Sequence, residues 1–175
     1  WYSDPSSIHN LINFVINNTN IKMDNKEYRL KLDDPKIFDH TFIYMTGHGN
    51  IRFNENEILS LRKFLLNGGF LHADDNYGMN KSFRREMKKV FPEKDWIELP
   101  KDHSIYNTYF NFPNGLPKIH EHDGKKAQGF GLFENNTLIA FYSFESDLGD
   151  GWEDQEVHNN PYEIRLNALR MGTNI

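Results

Sequence analysis

Residues 42–78 read FIYMTGHGNIRFNENEILSLRKFLLNGGFLHADDNYG, and this stretch decides the fold. An apolar run at 42–45 ends in a turn that contains two glycines, which is typical of a buried strand. Asn54 and Glu57 form a capping pair for the helix that follows, and two adjacent glycines end that helix. A second apolar run, at 70–73, ends in a polar turn. The stretch therefore predicts a strand, a helix and a second strand.

Regular elements continue on both sides of this stretch. A helix over 81–90 and a strand over 96–99 extend the alternation, which is the signature of parallel βαβ units with right-handed crossovers. Asp4 is placed to cap an amphipathic first helix. Residues 128–144 have the pattern of a hairpin, and Pro161 starts a last helix. The sequence predicts an α/β domain with a mostly parallel sheet and an added hairpin.

Composition excludes several classes of protein. The 175 residues, 38% of them hydrophobic, fit a single domain, 1–175, with a substantial core. The net charge of −5, without long runs of one sign, argues against nucleic acid as a partner because phosphate binding requires a basic surface. Without cysteine, the chain has no disulfide, thiolate metal site or cysteine nucleophile. No apolar run approaches the roughly 20 residues of a membrane span, so no transmembrane segment is expected.

Polar residues follow the first two predicted strands at their carboxyl ends, where open α/β sheets bind ligands. We predict catalytic roles for His48, Asp74 and Asp75, and binding roles for Asn50 and Tyr77. Two adjacent carboxylates at a strand end are costly to hold together without a cation or hydrogen-bond donors. The alternative is that Asp74 or Asp75 simply caps the next turn or helix.

A third group of polar residues contains two histidines at alternating positions. His120 and His122 point to the same side if their segment is extended, so they form a candidate metal-ligand pair, with Asp75 as a further ligand. This is not the helical spacing of a zinc metalloprotease, in which the histidines lie four residues apart. A solvated turn with two incidental histidines is the alternative.

A fourth group lies in the acidic segment after the hairpin. Asp147 and Asp150 alternate with glycines over residues 147–151 in a pattern similar to a calcium loop, although the full spacing of an EF-hand is missing, and Glu153 follows closely. Trp152 lies among these charges, and an indole in such a place packs or stacks on something. We therefore predict binding roles for all four residues. The alternative is an acidic surface loop.

Four motifs carry a resemblance to a known family. They are MTGHGN at 45–50, LRKFL at 61–65 leading to GGFLHADDNYG at 68–78, and SDLGDGWE at 146–153, together with PKIHEHDG at 117–124. The first three resemble the domain of unknown function 4159 family, and the likeness covers nearly the whole chain. The fourth resembles the version of the family found in Bacteroidetes-type bacteria.

The resemblance implies a fold, a location and an absent activity. Family members are expected to share the flavodoxin-like, three-layer fold of class I glutamine amidotransferase relatives. In those relatives a cysteine stands where this chain has Asp74 and Asp75, so no glutaminase activity is expected, because a carboxylate cannot replace the thiolate. Export signals in the family imply a periplasmic or secreted protein. Family members also have a strand before the position of Trp1 and a short strand after that of Ile175.

Two hypotheses of function remain open. The first is a metal-assisted hydrolase in which a divalent cation, Zn²⁺ or Ca²⁺/Mg²⁺, lowers the pKa of a bound water. The second is a non-catalytic module that uses a degenerate amidotransferase-like pocket to bind a carbohydrate, a peptide or a protein partner of the cell envelope. In the second case the aromatic stretch at 106–112 and Trp152 are the predicted contact surface.

Overall fold

The computed structural model describes residues 4–122 and 124–175, and within them it contains one open five-stranded sheet flanked by helices. Trp1 and Tyr2, before which the resemblance implies a further strand, and Asp123 of the histidine motif lie outside the described residues. The strands are β1 (Phe42–His48), β2 (Phe70–Tyr77), β3 (Ile97–Glu98), β4 (Gln128–Glu134) and β5 (Thr137–Phe144). The mixed α/β class predicted from the sequence is confirmed.

Six α-helices lie in the described ranges. They are α1 (Ser7–Asn18), α2 (Glu55–Leu66), α3 (Asn80–Val90), α4 (Leu148–Trp152), α5 (Gln155–His158) and α6 (Tyr162–Asn174). The predicted capping pair of α2 is confirmed: the Glu57 amide donates to Asn54 at 3.0 Å, and the Asn54 amide donates to Glu57 at 2.8 Å. In the described ranges no helix has the length and apolar character needed to cross a membrane.

The sheet has the strand order β1-β2-β5-β4-β3. β1, β2 and β5 are parallel, whereas β4 and β3 run antiparallel to their neighbours. The alternation predicted the strand near Ile97 as the next parallel strand, and this was wrong. β3 is only two residues long and both are exposed, so it lies at the far edge, while the apolar β5 takes the buried place beside β2.

The hairpin of β4 and β5 is confirmed. Its two-residue turn consists of Asn135 and Asn136, with φ of 48° and 66°. Asparagine tolerates this left-handed conformation, and two such residues in succession match the right-handed twist of the flanking strands. The turn therefore sets the register that delivers the end of β5, and the acidic segment after it, beside the end of β2.

Two hydrophobic cores lie on opposite faces of the sheet, because successive side chains of a strand point to opposite faces. In β2, Leu71 and Ala73 face the core that α2 and α3 cover, which also contains Leu61, Phe64, Leu65, Phe83, Met87 and Val90. His72 faces the other core, which contains Leu11, Val15, Tyr106, Phe141, Leu148, Trp152, Ala168 and Met171. This alternation also separates the two adjacent carboxylates at the end of β2.

The first helix begins differently from the prediction. Ser6 is the N-cap of α1, and no side chain caps the helix. Asp4 contributes its backbone carbonyl, which accepts the Ser7 amide at 3.1 Å and the Ser7 hydroxyl at 2.7 Å. The prediction that the Asp4 side chain caps α1 was therefore wrong. Asp4 has a φ of 44°, and its carboxylate points instead toward the end of the sheet.

Candidate metal centre

Asp74 anchors the segment that carries the other acids. It lies at the carboxyl end of β2, fully buried, and one of its oxygens accepts the Gly149 amide at 2.8 Å. The other oxygen accepts the Ser143 hydroxyl at 2.5 Å. The carboxylate thereby satisfies the free amino end of the short helix α4 and holds it against the sheet. Through this contact β2 positions the acids of α4.

Three carboxylates meet around one amide beside Asp74. The Asn76 Nδ2 atom lies 3.1 Å from Asp147, 3.3 Å from Asp150, and 3.3 and 3.4 Å from the two oxygens of Asp4. All three acids are buried, with Asp147 fully so. An amide has only two hydrogens, so Asn76 cannot donate to each of these oxygens at once.

Three imidazoles complete the arrangement. His122 Nε2 lies 2.7 Å from Asp147 Oδ2, and His120 Nδ1 lies 2.7 Å from Asp150 Oδ2. His158 Nε2 lies 3.2 Å from Asp150 Oδ1. These six residues, defined here as the acid–imidazole cluster, are Asp4, His120, His122, Asp147, Asp150 and His158.

Hydrogen bonds to the backbone fix the histidine segment over α4. The Ile119 amide donates to the Ser146 carbonyl at 2.9 Å, and the Ser146 hydroxyl donates to the Pro117 carbonyl at 2.6 Å. As the alternating spacing predicted, the rings of His120 and His122 lie on the same side, with centroids 4.7 Å apart. The segment brings both histidines to the carboxyl end of the sheet.

Burial sets the charge state of the cluster. It raises the pKa of Asp147 far above the usual range, and the neighbouring Asp74, Asp150 and Asp4 raise it further. Burial also raises the pKa of Asp74, although the bonds from Ser143 and Gly149 oppose that shift. Within the described part of the chain, no lysine or arginine forms an ion pair with Asp147 or Asp150. A bound proton or a bound cation would relieve the mutual repulsion of these carboxylates.

The ligand atoms converge in sets that suit a divalent cation. One atom from each of His120, His122 and Asp147 lies within 4.8 Å of the others, and the same holds for His120, Asp150 and His158, and for Asp4, Asp147 and Asp150. The first two sets combine two imidazoles with one carboxylate, which is the ligand pattern of catalytic zinc and of non-haem iron. Burial, followed by the adjacent His120, lowers the pKa of His122 and favours the neutral imidazole that a metal requires.

The family model "Domain of unknown function (DUF4159)" matches residues 1–175, which is the whole chain. The chain belongs to this family. No similar sequence was found among curated proteins. Membership of the DUF4159 family gives no reaction, so the chemistry of the domain is inferred from the residues of the site.

Several residues predicted for the site of this DUF4159 domain meet in the acid–imidazole cluster. His120, His122, Asp147 and Asp150 are members of it, and Asp74 lies directly below. Tyr77 is exposed, and its ring centroid lies 5.0 Å from that of His122, so it forms the rim.

Other predicted residues lie elsewhere. Asp75 points to the opposite face of the sheet, where it accepts the Met79 amide at 3.3 Å, so it does not join the histidines. His48 is exposed, and no side-chain hydrogen bond joins it to a residue of the described ranges. Asn50 accepts from Arg85 at 3.1 Å, away from the cluster. Trp152 is fully buried, and its indole donates to the Ala168 carbonyl at 2.8 Å.

Sequence reasoning assigned no site role to three residues that the fold brings to the centre. Asp4 was interpreted as a helix cap because Asp before Pro and a helix is the usual capping pattern. Asn76 lies between Asp75 and Tyr77, which were predicted for the site, but no role was predicted for Asn76 itself. No role was predicted for His158 in the acidic segment either. The signal available for Asn76 was the alternation of β2, which places it on the same face as Asp74.

Proposed function

We propose that this DUF4159 domain is a metal-dependent hydrolase whose divalent cation is bound by His120, His122 and Asp147. The observation that carries the proposal is the convergence of these three ligand atoms within 4.8 Å of one another. Two nitrogens and one carboxylate oxygen leave an open position for a water, as in zinc hydrolases. Zn²⁺ is the first choice because imidazole ligands disfavour Ca²⁺ and Mg²⁺.

The surroundings of the three ligands support a catalytic rather than a purely structural cation. The side chain of His120 is 46% exposed, so the site opens to solvent on the side of the histidines. A bound cation would supply a hydroxide nucleophile at neutral pH. Asp150 lies 2.7 Å from His120, so a second carboxylate stands directly beside that ligand.

Zinc binding tests this function directly. Metal-free protein is expected to bind Zn²⁺, and His122→Gln is expected to weaken its tightest binding by roughly 100-fold. Hydrolysis of p-nitrophenyl acetate and p-nitrophenyl phosphate, measured with and without Zn²⁺, reports activity. His9→Gln, a change in an exposed histidine of α1, is the matched control. Absence of Zn²⁺ binding, or equal affinity of the two variants, contradicts the proposal.

The proposal also covers the fold family to which the domain is related and the cellular location of the protein. It places the domain among class I glutamine amidotransferase-like, flavodoxin-like folds, in a Bacteroidetes-type protein of the periplasm or the exterior. The three parallel strands with helices on both faces support the fold, and the family resemblance alone supports the location. An experimental structure whose β1, β2 and β5 do not superpose on such folds would argue against the relationship. Fractionation that finds the protein in the cytosol would argue against the location.

A specific observation keeps the binding-module hypothesis as the second candidate. A cleft of about 490 Å³ is lined by residues 110–118 together with Asn167 and Arg170 of α6. Phe110 and Phe112 contribute aromatic rings, and the lining contains no acidic side chain. This surface suits a carbohydrate with acidic groups, because rings stack on sugar faces and cations pair with carboxylates. Trp152 is not part of it.

Oligosaccharide titration tests the second candidate. In a chelator-containing buffer, oligogalacturonate is expected to bind more tightly than a neutral cello-oligosaccharide of equal length. Arg170→Gln is expected to reduce that preference by roughly tenfold, as the loss of one charge-assisted contact does. Calorimetry or NMR titration gives both affinities. Equal binding of the two sugars, or none, removes this candidate.

A further inference from the structure

The metal ligands of the site extend beyond the shell of one cation. His120 is shared by two sets of converging ligand atoms, but His122 belongs to one set and His158 to the other. No set contains both His122 and His158, so a single cation in the His122 set does not include His158, although His158 lies beside Asp150 and Glu153.

Asp150 connects the two halves of the site. Its Oδ2 atom lies 2.7 Å from His120 Nδ1, while its Oδ1 atom lies 3.2 Å from His158 Nε2. The two oxygens of one carboxylate thus face two different imidazoles. This is the arrangement of a carboxylate that bridges two cations, which in two-metal hydrolases lie about 3.5–4 Å apart.

Glu153 provides a second, independent indication of a ligand near His158. It is 2% exposed, and its Oε2 atom lies 2.9 Å from His158 Nε2. Its Oε1 atom is buried and has no hydrogen-bond partner among the described residues. Arg165 holds the Glu153 carbonyl through bonds of 2.6 and 3.1 Å, so the backbone of this residue is fixed. An unsatisfied buried carboxylate oxygen is costly unless a ligand reaches it.

We infer that a second divalent cation binds Asp150 and His158, and that Asp150 bridges it to the first. Glu153 lies beside His158 but does not form a set with Asp150 and His158 within 4.8 Å, so its side chain must turn inward to complete the shell. The inference rests on the proposed function, which supplies the cation at His120, His122 and Asp147. One imidazole and two carboxylates suit Zn²⁺ or Mn²⁺. Two cations at the solvent-facing side of the cluster stabilise both the attacking and the leaving oxygen of a substrate, which one cation does less well.

Metal stoichiometry tests the inference. Chelator-treated protein is titrated with ZnCl₂ by calorimetry, and the zinc retained after gel filtration is measured by elemental analysis. We expect two Zn²⁺ per chain in the wild type, one in His158→Gln, one in His122→Gln and none in the double variant. Glu153→Gln, which keeps the shape of the side chain, is expected to retain the first Zn²⁺ and to bind the second at least tenfold more weakly. Far-UV circular dichroism and melting without metal confirm that each variant is folded.

The outcomes separate the two claims. One Zn²⁺ in the wild type, lost in His122→Gln and kept in His158→Gln, overturns the second site and leaves the proposed function standing. No bound Zn²⁺ overturns both. With Mn²⁺, a bridged pair gives a spin-coupled electron paramagnetic resonance spectrum that Asp150→Asn abolishes. Two uncoupled Mn²⁺ signals overturn the bridge.

Discussion

Asp147→Asn is expected to stabilise the metal-free protein and to abolish tight zinc binding in the same molecule. Asp147 is fully buried beside Asp74, Asp150 and Asp4, and its pKa is raised accordingly. Replacing this carboxylate by an amide of the same shape removes the cost of burying it, so we expect about 2 kcal/mol more stability at pH 8. The loss of an anionic ligand weakens Zn²⁺ binding by roughly 100-fold or more.

The effect on stability depends on pH in a direction that can be derived. A carboxyl group whose pKa is higher in the folded than in the unfolded chain binds more protons when folded, so stability falls as pH rises above the unfolded value. The unfolded pKa of an aspartate is about 3.9. The variant and the wild type should therefore be equally stable near pH 3.5, and the advantage of Asp147→Asn should grow from there toward pH 8.

Urea unfolding in the presence of a chelator, at several pH values, measures this advantage. Asp39→Asn is the matched control, because Asp39 is exposed at the end of a short 3-10 turn, where the same change removes no buried charge. Added Zn²⁺ should raise the melting temperature of the wild type and of the control only. A variant that is less stable than the wild type at pH 8 without metal would show that the hydrogen bonds of Asp147 outweigh its burial.

Trp152→Ala is expected to cost about 4 kcal/mol of folding free energy, the largest loss from a single substitution that we predict. The indole is fully buried between α4 and the sheet, with ring centroids 5.2 Å from Tyr44 and 5.8 Å from His72. Its removal leaves a cavity and takes away the hydrogen bond from the indole to the Ala168 carbonyl. For a chain of this size the melting temperature should fall by roughly 10 °C.

The same substitution tests whether Trp152 packs in the core or contacts a ligand. Thermal melting and zinc affinity are measured on Trp152→Phe, which retains most of the volume, and on Trp96→Ala as the control. Trp96 is only partly buried on the other face of the sheet, so its loss should cost about half as much. If Trp152→Ala left stability unchanged and altered ligand binding, the assignment of Trp152 to the core would be wrong.

Local pattern was sufficient for much of the fold. The capping pair at Asn54 and Glu57, the hairpin around Asn135 and Asn136, and the apolar runs of β1 and β2 each follow from neighbouring residues. Pattern predicted a strand near Ile97 correctly but not its place in the sheet, because a short segment of this kind pairs wherever the tertiary arrangement leaves an edge. Pattern failed for Asp4, because a helix cap and a buried carboxylate have the same local sequence.

The candidate site depended on contacts between residues distant along the chain. Asp4, Asn76 and Asp150 meet although more than 70 residues separate each from the next. The motif at the end of β2 gave no indication that Asp74 and Asp75 face opposite sides with different partners, since that requires knowing which face each core occupies. Nor did the acidity of the segment around Trp152 indicate that the indole lies beneath it.

Sequence by itself determined the class of fold and the polar chemistry at the carboxyl ends of the strands, because hydrophobic period and turn residues act over a few neighbours. Only the tertiary structure decided which acids and imidazoles lie next to one another, and that His158 and Asp4 are among them. Burial and mutual repulsion, which raise the pKa of Asp147, exist only once distant segments are packed together.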